Sequence, residues 1–573
     1  NEDGVYNYED GDYPFYDLDK IVPCGTTPDK RRPRLYGDAT LWWVYNDRGN
    51  IHTESKGASI GMEIQAQYFA FATNDELNNM TFGNYALINR STYTLQDTYF
   101  GVWTDADLGD HADDYVGTDV NRGLGYLYNG DEMDGDGNGK TYGAQPPAVG
   151  VDFFEGPYQD PDGQDNLSNW VYNPSTGKKE LNCSAAPLSE GSINGLNFED
   201  GVIDDERWGM RRFLYFTNGA STTGDPEKAI EYYRMLRGYW KDGTRMTYGG
   251  TGYLSSQTPA DFMFPDDTDP CGWGTSGIPQ ASWKETQTPG DRRFVQSAGP
   301  FTLYPGATND ITVGMVWARA NQGGAWASVG EVRRADDKAQ RLFEVCFKIV
   351  DAPHAPELQI VELDKELIFH IYNIKGSNNY LNTSEDYIEE DPFIVCPTDQ
   401  PNCDTKYRFQ GYQVFQLKDK SSSINDINDV TKARLVFQCD IKDSVSRIVN
   451  FEYDNQIGYS VPKVKVEGAD AGIQHTFRIT EDAFATGDKR LVNHKTYYYV
   501  AIAYAYNNYK TYDPTNPNAL DGQKLPYLPS RSGYGKPIQT YSAMPHTPSP
   551  SNNGTILNAS YGYGPKLVQL DGH

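Results

Sequence analysis

No run of about 18 apolar residues occurs anywhere in the 573-residue sequence, so no helix is long and apolar enough to span a bilayer. Basic charge is scarce: 50 lysines and arginines face 79 aspartates and glutamates, a net charge of −29. Nucleic-acid phosphates and anionic membrane surfaces both require a basic patch, so neither is an expected partner, and direct membrane insertion is not expected either. The seven cysteines (Cys24, Cys183, Cys271, Cys346, Cys396, Cys403, Cys439) contain no C-x-x-C pair, and the eight histidines do not sit at ligand spacing with them. A zinc site is thereby not expected. Cys396 and Cys403 flank a Pro/Asn/Asp loop and are candidates for a small disulfide. There is no apolar leader, and the first residue is Asn1, so the chain is expected to be a processed portion of a longer one.

Catalytic motifs are equally scarce. "GASIG" at Gly57–Gly61 has the letters of a nucleophile elbow, but a strand pattern follows where the elbow needs a helix. "GKT" at Gly139–Thr141 resembles the end of a phosphate-binding loop, yet Asp134 replaces its first glycine. H-E-x-x-H is missing. Asp152 and Glu155 are a carboxylate pair of the kind that glycoside hydrolysis uses, but in so acidic a chain such pairs are expected by chance. The expectation is that the protein is not an enzyme.

What the sequence does have is tyrosine, 42 of them, and alternation. In "SIGMEIQAQYFAFA", Ile60, Met62, Ile64 and Ala66 fall on one face and Glu63, Gln65 and Gln67 on the other, the mark of a half-buried antiparallel strand. "TLWWVYN", "RRFLYFTN" and "ITVGMVWARA" are further strands separated by long Gly/Asp/Asn loops. Two helices interrupt them. "DPEKAIEYYRMLRGYW" opens on Asp225 as N-cap and Pro226, with Ile230, Tyr233, Leu236 and Trp240 as its stripe. "SVGEVRRADDKAQRLFEVCFKIV" carries a capping box of Ser328 and Glu331 and a stripe of Val332, Ala335, Ala339, Leu342, Phe343 and Cys346. Pro353 and Pro356 then mark a boundary. Beyond it, roughly seven strands, among them "KTYYYVAIAYAYN", suggest an immunoglobulin-like sandwich, and "YYYVAIAYAYNN" resembles the penultimate strand of a fibronectin type III domain.

The expected fold is therefore mainly β: a jelly-roll or β-sandwich domain with long acidic loops and two helices, then a fibronectin type III-like β-sandwich. Residues 1–35 form an acidic extended arm, 36–352 the Asp-rich β-domain, 353–524 the fibronectin-like domain and 525–573 a Pro/Gly/Ser-rich irregular tail.

The densest chemistry lies between Thr104 and Lys140, where nine aspartates and a glutamate meet only Arg122 and Lys140. Asp134, Asp136 and Asn138, followed by Gly139, reproduce the opening of an EF-hand loop, D-x-D-x-N-G. Hard Ca²⁺ takes oxygen ligands, which alternate positions of a tight loop turn inward. Gln145 replaces the closing glutamate and no flanking helices are evident, so the loop is related to the EF-hand rather than one. Asp105, Asp107 and Asp110 form a cluster upstream, followed by Asp113, Asp114 and Asp119, and Asn129 with Asp131 forms a third. Two readings stay open. The loop is either solvated or ordered by one or two Ca²⁺ ions; its interruption by glycines favours the ions.

"LWWVYNDRGNIHTE", "FATNDELNNMTF", "DADLGDHADDYVGTDVNRGLGYLYNGD", "RRFVQSAGPFTLYPG" and "GTILNASYGYGPK" together resemble a group of large secreted proteins of Bacteroidota, exported by type IX secretion. The resemblance extends over roughly residues 36–565. It implies a multidomain protein on the outer surface of a Gram-negative bacterium, with a fibronectin-like module and no assigned enzymatic activity. Thr118 stands where the group is expected to have a cysteine, which removes one of its disulfides. The expected function is a non-enzymatic, calcium-stabilised structural or adhesive surface protein, a candidate subunit of a surface polymer or filament. The alternative is a carbohydrate-binding or glycan-degrading secreted protein. The expected partners are surface glycans and other copies of the chain, the latter through strand addition by the arm or by "TIL" and "KLVQL" of the tail.

Overall fold

The structure, a computed structural model, describes residues 35–548 apart from 72–75, 136–140, 174–177, 184–190, 381–384, 455–458, 517–518, 520–521 and positions 192, 321, 395, 398 and 399. The arm up to residue 34, "TIL" and "KLVQL" lie outside the described residues. The chain is mainly β, with two α-helices. It divides into two compact units between Phe347 and Lys348.

In the first unit the alternating segments pair into a seven-stranded antiparallel sheet. Its order is Ala39–Asn46, Met62–Ala70, Met80–Asn89, Thr308–Ala318, Ala148–Glu155, Leu124–Asn129 and Asp114–Asp119. Period-two alternation gives this sheet two apolar faces. On one, Val116, Leu127, Val151, Phe153 and Val313 share a core with Phe213, Val295 and Phe301 of a three-stranded sheet, Arg212–Thr217, Arg292–Leu303 and Leu95–Asp105. On the other, Leu124, Tyr126 and Ala148 pack against Ala325, Val329 and Val332 of the long helix α2, Gly324–Glu344. Gln67, expected to be solvent-facing, is buried.

Both helix starts differ from the expectation. The shorter helix α1 runs Ala229–Leu236 with Lys228 as N-cap, so Asp225 and Pro226 precede it. Asp225 instead turns back, its Oδ2 accepting from the Gly219 N–H at 2.8 Å. Of its expected stripe Ile230 is exposed, Tyr233 and Leu236 are half-buried and Trp240, beyond the helix end, is fully buried; within the helix Met235 is the buried position. α2 begins a turn before Ser328, whose hydroxyl donates to the Pro146 carbonyl at 2.6 Å and accepts from the Ala320 N–H at 3.0 Å. Tertiary hydrogen bonds have displaced the capping box. Of the stripe, Val332, Ala335, Ala339 and Leu342 are buried, while Phe343 is half-buried and Cys346, half-buried too, lies beyond the helix end.

The second unit is a two-layer sandwich. A three-stranded sheet, Glu357–Leu363, Glu366–Tyr372 and Thr476–Ile479, faces a six-stranded one centred on Lys406–Leu417 and Tyr497–Tyr506. Phe369 from the first meets Tyr499 from the second edge to face, ring centroids 4.8 Å apart. A hairpin, Arg447–Asp454 with Tyr459–Glu467, was not anticipated. Nor is the start of the tail irregular: Tyr527–Pro529 and Tyr541–Ala543 both pair with Tyr497–Tyr506, extending the sandwich beyond residue 524. Cys396–Cys403 is a disulfide, as is Cys183–Cys271, and Cys346 is also disulfide-bonded. The free cysteine among the described residues is the buried Cys439.

Candidate metal centre

Strands Asp114–Asp119 and Leu124–Asn129 pair so that Asp114 stands opposite Asn129. Directly opposite residues of an antiparallel pair project to the same face, with Cα atoms about 4.5–5.5 Å apart. Here that is the face of Val116 and Leu127, and both side chains are 1% exposed. Just before the strand, Asp110 caps a single 3-10 turn, His111–Asp113, by accepting from the Ala112 N–H at 3.1 Å. Asp110, Asp113, Asp114, Asn129, Asp131 and Asp134 thus converge at one end of one hairpin.

Main-chain donors shape this end. Asp134, fully buried, accepts from the Asp110 N–H at 2.8 Å and from the Tyr142 N–H. Asp113 Oδ2 accepts from the Gly135 N–H at 2.9 Å, and Asp131 Oδ1 from the Met133 N–H at 2.8 Å. Gly109 has φ +78°, and a Cβ there would stand 1.9 Å from Asp134 Oδ2, so only glycine lets this carboxylate in.

Three buried oxygens remain without a hydrogen-bond partner: Oδ1 of Asp113, of Asp114 and of Asn129. Buried polar atoms are nearly always satisfied. Burial pushes the Asp114 carboxyl up to about 9, with the negative charges of Asp113, Asp134 and Asp107 adding to the shift. Burial also raises Asp113, helped by Asp134, Asp110 and Asp131. Oxygen-only donors with uncompensated negative charge are what a hard divalent cation takes, and carbonyls and water can complete its shell. Asp136 and Asn138, the core of the EF-hand likeness, lie outside the described residues.

Two of the expected ligands join a different group. Arg293 stands opposite Asp105 across the Leu95–Asp105 and Arg292–Leu303 pair. Asp291 thereby meets Asp105 and Asp107, with a carboxylate oxygen of each within 4.8 Å of the others. Arg293 binds Asp105 Oδ2 and Asp291 Oδ1, each at 3.1 Å, and supplies part of the countercharge itself. Asp291 was missed because only strand register brings it there. Asp119 leaves the set altogether. An odd number of residues from Asp114 on a strand, it faces the opposite side, where Arg122 holds it at 2.9 Å and Arg333 at 3.0 Å. A β-bulge sets Glu155 opposite Thr312 and Asp152 opposite Gly314, so the two lie on one face of the sheet. Glu155 binds Arg207 at 3.2 Å, while Asp152 lies buried beneath α2.

Compared with known proteins, the chain matches no family model and no curated sequence.

Proposed function

We propose that this chain is a non-enzymatic extracellular structural or adhesive protein that assembles through a sheet edge and is ordered by Ca²⁺. The observation that carries it is the strand outermost among the described residues, Ala39–Asn46. Eight residues long and without charge, it exposes Leu41, Trp43, Val44 and Tyr45 at 69%, 40%, 36% and 43%. Monomeric proteins blunt such edges with charge, proline or bulges, because an apolar edge recruits another strand. The occupant we assign is a second copy of the same chain, its edge strand continuing the sheet. The pairing of Tyr527–Pro529 and Tyr541–Ala543 onto a sheet within one chain supports strand addition as a habit of this sequence. The disulfides support an oxidising, extracellular location, and the unpartnered oxygens of Asp113, Asp114 and Asn129 support the ion. Kinship with type IX-secreted surface proteins, a jelly-roll description of the first unit and a fibronectin type III-like description of the second belong to the same proposal.

The test is Val44→Lys, which places a charge on the edge. Light scattering and electron microscopy should show the parent protein assembling with Ca²⁺ and the variant monomeric with an unchanged melting temperature. A parent that stays monomeric at all concentrations overturns the assembly. Trp43, stacked on Tyr68 with centroids 5.6 Å apart, favours a second reading, a glycan-binding aromatic platform. Glycan-array binding that Trp43→Ala abolishes, without self-association, would replace the first.

A further inference from the structure

The helix-covered face of the large sheet contains a second group of acids that the acidic loops do not include. Gly150 has no side chain, and a Cβ there would stand 2.9 Å from Val332 Cγ1, so α2 approaches the sheet closely at this point. Four residues along α2 from Val332 is Asp336, about 6 Å further on. Two residues along the strand from Gly150, on the same face, is Asp152, about 7 Å further on. The two carboxyls meet between helix and sheet, each acting directly on the other. Each residue is 1% exposed. Neither oxygen of Asp152, nor Oδ1 of Asp336, has a hydrogen-bond partner.

The neighbouring charges are already matched. Arg122 binds Asp119 at 2.9 Å and Asp337 at 2.8 Å, and Arg333 binds Asp119 at 3.0 Å. Two guanidiniums thus answer Asp119 and Asp337, leaving Asp152 and Asp336 with two uncompensated negative charges. Further oxygens face the same turn. Oδ1 of Asn121 and of Asn194 are buried and unpartnered. Asn194 reaches in by donating to the Val120 carbonyl at 2.8 Å. At Gly123, φ +78°, a Cβ would stand 3.2 Å from both Asn194 Cγ and Asp152 Oδ1, so the glycine keeps the space beside them open.

We propose that Asp152 and Asp336 hold a second divalent cation, of the Ca²⁺ class, between α2 and the sheet, with the Asn121 and Asn194 amide oxygens as further ligands. All donors are oxygen, which excludes the softer metals that thiolate and imidazole select. The ion balances the two charges and ties the helix to the sheet. Its alternative is a proton shared between the two carboxyls. Burial, and for Asp336 the charge of Asp152, raises both well above the ordinary carboxylate range when no ion is present.

The experiment counts bound Ca²⁺ by elemental analysis of the desalted full chain. The parent, Asp152→Asn, Asp336→Asn and Asp114→Asn are compared, and Tb³⁺ titration follows the same sites after EDTA treatment. Asp152→Asn and Asp336→Asn should each lose one equivalent relative to the parent. Equal counts in all three overturn the proposal and leave the shared proton. Should neither Asn variant fold, Asp114→Asn decides: one retained equivalent supports the site and none overturns it. The acidic-loop ion fails separately, if Asp114→Asn binds as much as the parent.

Discussion

At Asp114 the carboxylate has given up water for a place where one oxygen meets no donor. A buried acid of this kind destabilises the fold unless an ion answers it. If the proposed ion binds here, it should add about 2.7 kcal/mol of stability at a hundredfold excess over its dissociation constant, and Asp114→Asn should shrink the accompanying rise in melting temperature. Thermal melts with Ca²⁺ and with EDTA check this; an unchanged gain would remove Asp114 from the site. Asp482, in the second unit, shows the opposite balance. Burial alone would raise it, but the Lys495 ammonium at 2.7 Å, the Phe484 N–H and the Gln416 amide outweigh burial and hold its carboxyl below the ordinary range. A lowered folded pKa contributes stability that is present above the unfolded value, about 3.9, and is lost as pH falls through the folded one. The second unit should thus lose stability below about pH 4. Asp482→Asn should be less stable at pH 7 and flatter across that range, as denaturant unfolding at pH 7 and pH 3 would show.

At the scale of elements, α2 carries most of what is distinctive in the first unit. Leu342, fully buried, is part of the stripe that covers the outer sheet face. Leu342→Ala should cost about 2–5 kcal/mol, because surrounding strands cannot close the cavity. Chemical denaturation measures it directly. A cost below about 1 kcal/mol would mean that the helix is a loosely attached cover, since buried Leu→Ala changes otherwise exceed that value. The helix period was legible because Val332, Ala335, Ala339 and Leu342 repeat at three and four residues. Its start was not, because Ser328 found tertiary partners that local capping rules do not contain.

At the scale of the molecule, each unit has its own core: one draws on residues between Met62 and Val313, the other on residues between Val350 and Ala543. Independent cores unfold as separate transitions. Calorimetry should resolve two, and EDTA should lower the one belonging to the first unit while leaving the second in place. Both moving together, or neither, would contradict a metal confined to the first unit.

The sequence by itself determined the β class, the acidity and the supply of carboxylate oxygens, since these follow from residue type and from periods of two and three to four. Only the tertiary structure decided which acids belong together. Strand register set Asp114 against Asn129 and brought Asp291 to Asp105 and Asp107 across nearly two hundred residues. Alternation across the sheet sent Asp119 and Asp152 to the helix side, where α2 added Asp336. A linear spacing of aspartates fixes their density; the face each one takes and its partner in space depend on pairings between segments far apart in the chain.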